Sequence, residues 1–172
     1  DTVIFLPYLE AISKKFNTPV SILVKKNSKA EQFLNQTSYI DKIIFLERGN
    51  QKKGGHDGIS GSIRLVRELK KHKFDKIFIF NSSLRFNLIA KLSNIKEIYQ
   101  YPLFKKTNQH ITQPAKTLIK EKLGVDVLGN PQIQISNNLI EKAVSKFDIN
   151  NAALNILLGI GGSGPTKRIP SK

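Results

Sequence analysis

The sequence predicts an α/β fold in which helices flank a parallel sheet. Short apolar runs typical of strands alternate with longer segments whose apolar residues have helical spacing. Of the 172 residues, 40% are hydrophobic, which is enough to form a buried core. Alternating strands and helices favour a right-handed, doubly wound sheet that is covered on both faces.

The elements follow from local patterns. The first segment has apolar residues at helical spacing, with Pro7 in its first turn, and Ser28 is the expected N-cap of a short second helix. The predicted helices are Val3–Phe16, Ser28–Leu34, Ile63–Lys71, Leu84–Leu92, Thr112–Leu123 (ending at Gly124) and Asn138–Phe147. The predicted strands are Pro19–Val24, Lys42–Leu46, Lys76–Phe80, Glu97–Tyr101 and Ala152–Leu158.

The segment Gly159–Lys172 is rich in glycine and follows the last predicted strand. A glycine-rich turn after a strand lets backbone N–H groups approach an anion. Ser163 and Thr166 add hydroxyl donors, and Lys167 adds positive charge. The pattern therefore predicts a phosphate or diphosphate site. The alternative is that the two hydroxyl residues cap a helix and that Lys167 is an ordinary surface lysine.

Charge and composition limit the function classes. The net charge is +15, but the lysines are spread over nearly every predicted helix and turn, without a nucleic-acid-binding module. The absence of cysteine excludes disulfides and thiolate catalysis. No apolar run approaches the roughly 18 residues that span a bilayer. The histidines, His56, His72 and His110, lack the spacing of metal ligands and are expected on the surface or in loops.

Six segments carry a family resemblance: Asp1–Leu9 (DTVIFLPYL), Ile40–Ile44 (IDKII), Phe74–Phe80 (FDKIFIF), Asn81–Arg85 (NSSLR), His110–Gly124 and Gly164–Pro170 (GPTKRIP). In this order they resemble glycosyltransferase family 9, the lipopolysaccharide heptosyltransferases. In that family a Gly-Asp pair follows the first strand, and a Gly-Pro-x-Lys-Arg-Trp-Pro stretch opens the second half. Here the glycine before Asp1 is absent, and Ile169 takes the place of the tryptophan.

The resemblance implies the N-terminal half of a two-domain GT-B glycosyltransferase, with a Rossmann-like parallel sheet whose first strand is missing. Residues 1–128 are the expected acceptor-side domain, truncated at its N-terminus, and residues 129–150 are a linker and helix. Residues 151–172 are the expected first strand and phosphate loop of a truncated donor-binding domain. On this interpretation the fragment alone is expected to be inactive.

The implied reaction is an inverting transfer of heptose from ADP-heptose to the lipid A–inner core of lipopolysaccharide. Asp1 would act as the base that deprotonates the acceptor, its alternative role being a helix cap. Arg85 would bind an acceptor phosphate or carboxylate, its alternative being an ordinary helix-surface arginine. The expected site residues are Asp1 and Lys167 for catalysis, Gly162, Ser163, Thr166 and Lys167 for the donor diphosphate, and Ser83 and Arg85 for the acceptor.

The expected partners are the nucleotide sugar and a phosphorylated glycolipid, without nucleic acid. We expect no cofactor or metal, because cationic side chains can take the place of a metal beside a diphosphate. The expected location is the cytoplasm, with peripheral contact at the inner face of the inner membrane. Two rival functions remain open: a family 9 transferase with another nucleotide sugar, and a non-catalytic Rossmann-like module that binds nucleotide or nucleic acid. The predicted loop Arg48–Ser62 is either a lid over the acceptor or a plain connection.

Overall fold

The computed structural model describes residues 2–48, 55–103, 110–150 and 152–157. The chain divides into two compact units, Asp1–Gln134 and Ile135–Lys172. The helices of the first unit are α1 (Leu6–Phe16), α2 (Glu31–Leu34), α3 (Gly58–His72), α4 (Leu84–Leu92) and α5 (Thr112–Leu123), and the second unit contains α6 (Asn137–Lys146). The strands are β1 (Val20–Lys25), β2 (Ile40–Leu46), β3 (Lys76–Ile79) and β4 (Glu97–Gln100).

The described strands form two parallel pairs. β1 pairs with β2, with Leu23 opposite Ile44, and the register shifts between Val20 and Ile22. β3 pairs with β4 from its first residue to its last. The prediction of parallel strands connected by helices is therefore confirmed. The expected continuous sheet is not formed by the described strands, because β1–β2 and β3–β4 do not hydrogen-bond to each other.

Helices cover both faces of these strands, as the alternating side chains of a strand require. Ile22 packs with Leu6 of α1 on one face, whereas its neighbour Leu23 packs on the other face with the apolar residues of α3. Phe78 of β3 packs against the cluster that α1 and α5 form, in which Ile119 is fully buried. The core therefore lies in two layers, one on each side of the strands.

Several helix boundaries differ from the prediction. α3 begins at Gly58, five residues before the predicted start at Ile63. Ser28 does not cap α2, because it belongs to a short 3-10 turn (Lys26–Ser28) and its buried hydroxyl has no hydrogen-bond partner in the described part of the chain. By contrast, α5 ends at Gly124 as predicted, where the positive φ of 69° ends the helix.

The second unit is described over residues 135–150 and 152–157. Its helix α6 has no buried residue. The described part of the predicted strand, 152–157, is not a strand, and Leu154 and Leu157 are exposed. A strand forms only where a neighbour accepts and donates its backbone hydrogen bonds, and no other strand is present among the described residues of this unit.

Candidate functional site

The loop after β3 is held in place by side chains of its own strand pair. In open α/β folds the carboxyl ends of the strands are where ligands bind. The Asn81 side-chain oxygen accepts a hydrogen bond from the Ser83 N–H at 2.9 Å, which forms a local turn. Gln100, at the end of β4, donates to the carbonyl oxygens of Asn81 and Ser83, both at 3.0 Å. This loop is therefore fixed from two sides.

Gln100 is itself oriented by α4. The Asn87 side-chain amide donates to the Gln100 side-chain oxygen at 2.7 Å. This bond orients the Gln100 amide so that its nitrogen points to the loop. Sequence reasoning missed Asn87 and Gln100, and it gave Asn81 no role beyond its place in the segment Asn81–Arg85. The Asn-Ser-Ser run was a turn signal for Asn81. Nothing in the sequence indicated that Gln100 would return to this loop.

Ser83 lies at the start of α4, directly after the loop that follows β3. It is the N-cap of α4 with extended backbone dihedrals, and its side chain makes no cap hydrogen bond. The first turn of a helix presents N–H groups that lack intrahelical partners, together with the positive end of the helix dipole. Ser83 is partly buried at this edge. This placement is compatible with the predicted acceptor contact, which stays a prediction.

Arg85 connects α4 to α3 and to the segment before α3. Its Nε donates to Ser62 Oγ at 3.0 Å, and a terminal nitrogen donates to the backbone oxygen of His56. Two of the five N–H donors of the guanidinium are thus used within the protein. Arg85 therefore has a structural role, and the predicted role in acceptor binding depends on its remaining donors.

His56 lies in the bend before α3, so it is in a loop as predicted, but its side chain is buried rather than on the surface. Its Nδ1 accepts a hydrogen bond from the Glu47 N–H at 3.0 Å, and its Nε2 lies 3.3 Å from a Glu68 carboxylate oxygen. The backbone N–H of His56 also donates to the backbone oxygen of Glu47 at 2.6 Å. The ring therefore joins the end of β2 to α3. This arrangement needs Nε2 to carry the proton, since Nδ1 is the acceptor.

Gly61 makes the approach of His56 to α3 sterically allowed. A Cβ atom at position 61 would lie 2.7 Å from the Cα of His56 and even closer to the carbonyl carbon of His56. Carbon atoms in contact are normally about 3.5–4.0 Å apart. The glycine that weakens the helix pattern in the sequence is thus the residue that lets the preceding segment pack on α3.

Four aromatic rings meet at the start of α1 and the carboxyl ends of β3 and β4. Phe5 and Tyr8 of the α1 region lie 5.2 Å and 6.2 Å from the ring of Phe80, and Tyr101 lies 6.1 Å from it. The Tyr8 hydroxyl donates to the Thr112 backbone oxygen at 3.1 Å, which connects α1 to α5. This aromatic cluster fixes the start of α1 beside the loop after β3.

The hydroxyl of Tyr101 is buried and has no hydrogen-bond partner within the described part of the chain. Burial raises the pKa of Tyr101, and the neighbouring Tyr8 raises it further by a smaller amount.

At the opposite end of the same strands, Lys76 and Tyr99 both donate to the Glu97 carboxylate. These bonds, first that of Lys76 and then that of Tyr99, lower the pKa of Glu97.

His110 lies two residues before Thr112, whose backbone oxygen accepts the Tyr8 hydroxyl. Its Nδ1 is 2.8 Å from the Thr112 hydroxyl, and the side chain is exposed. The exposure agrees with the prediction of a surface residue at the start of α5. Because its neighbour Thr112 also accepts the Tyr8 hydroxyl, His110 is near the start of α1.

The remaining predicted site residues lie outside the described residues. They are Asp1, Gly162, Ser163, Thr166 and Lys167. The base and the diphosphate loop therefore stay predictions, and Ser83 and Arg85, which are predicted to contact the acceptor, are the two predicted site residues that the structure describes. These two lie at the N-terminal end of α4, two residues apart.

An open cavity of about 570 Å³ lies beside β2 and the C-terminal half of α3. Its lining includes Lys42, Glu68 and His72 but none of the predicted site residues.

Among the described residues there is no group of three or more acidic, histidine or cysteine side chains arranged to hold a metal. No described helix is both long and apolar enough to cross a membrane.

Comparison with known proteins shows similarity at the level of the fold. No family model matches the sequence, and no curated protein matches it. The crystal structure of the glycosyl transferase family 9 from Veillonella parvula DSM 2008 is similar, with a TM-score of 0.69 and 20% sequence identity. The match covers 98% of this chain and 53% of that chain. The chain thus spans about half the length of a family 9 glycosyl transferase and shares its fold.

Proposed function

We propose that this chain belongs to an inverting glycosyltransferase that transfers heptose from ADP-heptose to the lipid A–inner core of lipopolysaccharide. The observation that carries the proposal is the fold similarity to a family 9 glycosyl transferase over 98% of the chain. The sequence segments that resemble this family occur in the family's order along the same chain. The loop at Asn81–Ser83, fixed at the carboxyl end of the strands, supports an acceptor site there.

On the acceptor side, the Asp1 carboxylate takes the proton of the acceptor hydroxyl. The oxygen then attacks the anomeric carbon from the face opposite the leaving group, which inverts the configuration. Ser83 and the free N–H donors of Arg85 hold an anionic or hydroxyl group of the acceptor. A guanidinium gives charge-assisted hydrogen bonds to phosphate that are shorter and stronger than neutral ones.

On the donor side, the bond between the anomeric carbon and the diphosphate oxygen breaks, and the diphosphate leaves as ADP. Lys167 neutralises the charge that develops on this oxygen, with hydrogen bonds from the backbone at Gly162 and from Ser163 and Thr166. Because negative charge on this oxygen develops as the bond breaks, these contacts stabilise the transition state more than the bound donor.

Steady-state kinetics of the full-length enzyme test the proposed roles of Asp1 on the acceptor side and Lys167 on the donor side. Asp1→Asn should lower kcat and leave the donor KM nearly unchanged, because a base acts only as the new bond forms. Lys167→Ala should raise the donor KM and lower kcat, with a loss of about 2–4 kcal/mol of transition-state stabilisation. Lys172→Ala, which removes an equal charge outside the proposed contact, is the matched control. Wild-type kcat in Asp1→Asn would show that Asp1 is only a helix cap.

One turnover measurement and one binding measurement separate the donor and the rival functions. Release of nucleoside diphosphate should be faster with ADP-heptose than with other nucleotide sugars, and the reverse order would assign a different donor within the same reaction class. Duplex DNA should bind weakly and with strong salt dependence, with a Kd of about 10⁻⁴–10⁻⁶ M. Sequence-selective, salt-resistant binding of DNA together with no turnover would favour the non-catalytic module.

A further inference from the structure

An exposed aliphatic surface lies on α3 and α4. Its most exposed residue is Ile59 of α3, which is 83% exposed, and its other four residues are 44–62% exposed. The set, called here the α3–α4 patch, consists of Ile59, Ile63, Leu84, Leu88 and Leu92. Within each helix these residues are four positions apart, which places them on one helical face.

The two helices lie side by side, so the two faces are adjacent. Arg85 of α4 bonds Ser62 of α3 at 3.0 Å, and Val66 of α3 shares a core cluster with Ile89 of α4. Ile63 follows Ser62 directly in the sequence and is turned about 100° away from it around the helix. Since Ile63 is also 48% exposed, it faces solvent beside the contact between α3 and α4.

Positive charge surrounds this patch. The two helices together contain six cationic residues and one carboxylate. The cationic residues are Arg64, Arg67, Lys70, Lys71, Arg85 and Lys91, and all but Arg85 are exposed. The carboxylate, Glu68, lies 3.3 Å from His56 Nε2, so it is directed to the buried histidine. The solvent side of the two helices thus combines leucine and isoleucine with lysine and arginine.

This combination fits the surface of an anionic bilayer. Helices that lie in a membrane interface bury an apolar face at the boundary of headgroups and acyl chains, while cations contact anionic lipids. Each lysine or arginine near such a surface strengthens binding about fivefold. A second copy of this chain is a poorer occupant, because it would bring the same cations together.

The position of the patch relates it to the loop after β3. α3 and α4 each follow a strand, so their first turns lie toward the carboxyl ends of β2 and β3. Ile59 and Leu84 are in those first turns, and Ile63 is one turn further along α3. This end of the patch is therefore on the same side of the fold as Ser83, whereas Leu92 is at the other end of α4.

We propose that the α3–α4 patch is a docking surface for anionic membrane lipids, with its aliphatic side chains inserted at the headgroup boundary and the cations of α3 and α4 on the headgroups. This goes beyond the proposed transfer reaction, since it requires neither a sugar donor nor the acceptor. Binding to vesicles that contain no lipopolysaccharide therefore tests it independently of the activity.

The test is co-sedimentation of the purified protein with vesicles of phosphatidylcholine alone and of phosphatidylcholine mixed with phosphatidylglycerol. The protein should sediment with the mixed vesicles and be released by added salt. Leu88→Asn combined with Leu92→Asn should weaken this binding about tenfold or more, because both side chains lose apolar insertion. Leu128→Asn is the control, since Leu128 is exposed in the same unit but outside the patch. Circular dichroism checks that each variant is folded.

Equal binding of the double variant and the control would overturn the proposal, and so would equal binding to both kinds of vesicle. A dimer in solution that the double variant abolishes would assign the patch to a second copy and would also overturn it. If the double variant does not fold, Arg67→Gln with Lys91→Gln serves instead. These surface changes should reduce binding to anionic vesicles more than tenfold, from about fivefold per cation, and an unchanged affinity would refute the proposal.

Discussion

Replacement of Gly61 by alanine should destabilise the protein, although alanine is the better helix former. In an exposed helix interior this substitution would stabilise by about 1 kcal/mol. Here the new Cβ would lie 2.7 Å from the Cα of His56, so the segment before α3 must move by roughly 1 Å to restore ordinary contact. The sign of the effect therefore distinguishes the tertiary contact from helix propensity.

The magnitude follows from the hydrogen bonds that this movement breaks. His56 exchanges two hydrogen bonds with Glu47, at 2.6 Å and 3.0 Å, and its backbone oxygen accepts one from Arg85. At about 1 kcal/mol for each bond, their loss outweighs the gain in helix propensity. The expected net result is a loss of about 2 kcal/mol in the free energy of unfolding.

Urea denaturation followed by circular dichroism measures this change. Ser60→Ala is the matched control, because Ser60 is exposed on the same helix and alanine there should be neutral or slightly stabilising. Hydrogen exchange of the Glu47 amide gives a local readout, since this N–H donates to His56. The reasoning would be refuted by a Gly61→Ala protein as stable as the control, with unchanged protection of that amide.

Three further outcomes are expected. Tyr101→Phe should be neutral or stabilising in denaturation experiments, because a buried hydroxyl without a described partner is removed, whereas Tyr8→Phe should cost about 1 kcal/mol with its hydrogen bond; the opposite order would contradict this. Glu97→Gln should reduce the loss of stability on acidification, because the lowered pKa of Glu97 gives stability that is present above its ordinary pKa and is lost as the pH falls through the folded-state pKa; an unchanged pH profile would argue against the Lys76 contact. Gln100→Leu should raise the acceptor KM more than the donor KM, as measured in the full-length enzyme, because the loop after β3 loses two hydrogen bonds; equal effects on both would argue against an acceptor site there.

The sequence alone determined the elements whose signals are local. α4 and α5 have the predicted bounds, because helical spacing acts within a few residues, and α5 also ends at a glycine with positive φ. β3 and β4 begin at the predicted residues, since each contains consecutive β-branched and aromatic side chains, Ile77–Ile79 and Ile98–Tyr99, that favour strands. Order along the chain then favours parallel pairing, because each strand is separated from the next by a helix.

The candidate site was predictable only in part. Ser83 and Arg85 were predicted from a family resemblance, and the structure places them together at the start of α4. The residues that hold this loop were not predicted, because Gln100 is 17 residues from Ser83 and its contact exists only when β3 and β4 pair. Arg85 has its inward hydrogen bonds for the same reason, since α3 and α4 must pack before Ser62 is within reach.

Tertiary packing decided where the local pattern was weak. The sequence around Gly58 and Gly61 resembles a loop, since glycine is unfavourable in helices, yet α3 begins there because the missing side chain at position 61 lets His56 pack against the helix. The apolar run at 152–157 resembles a strand, yet none forms among the described residues, because a strand needs a neighbour for its backbone hydrogen bonds. Periodicity and turn residues thus fixed the local elements, whereas burial and pairing, which depend on residues distant in the sequence, fixed their extent and contacts.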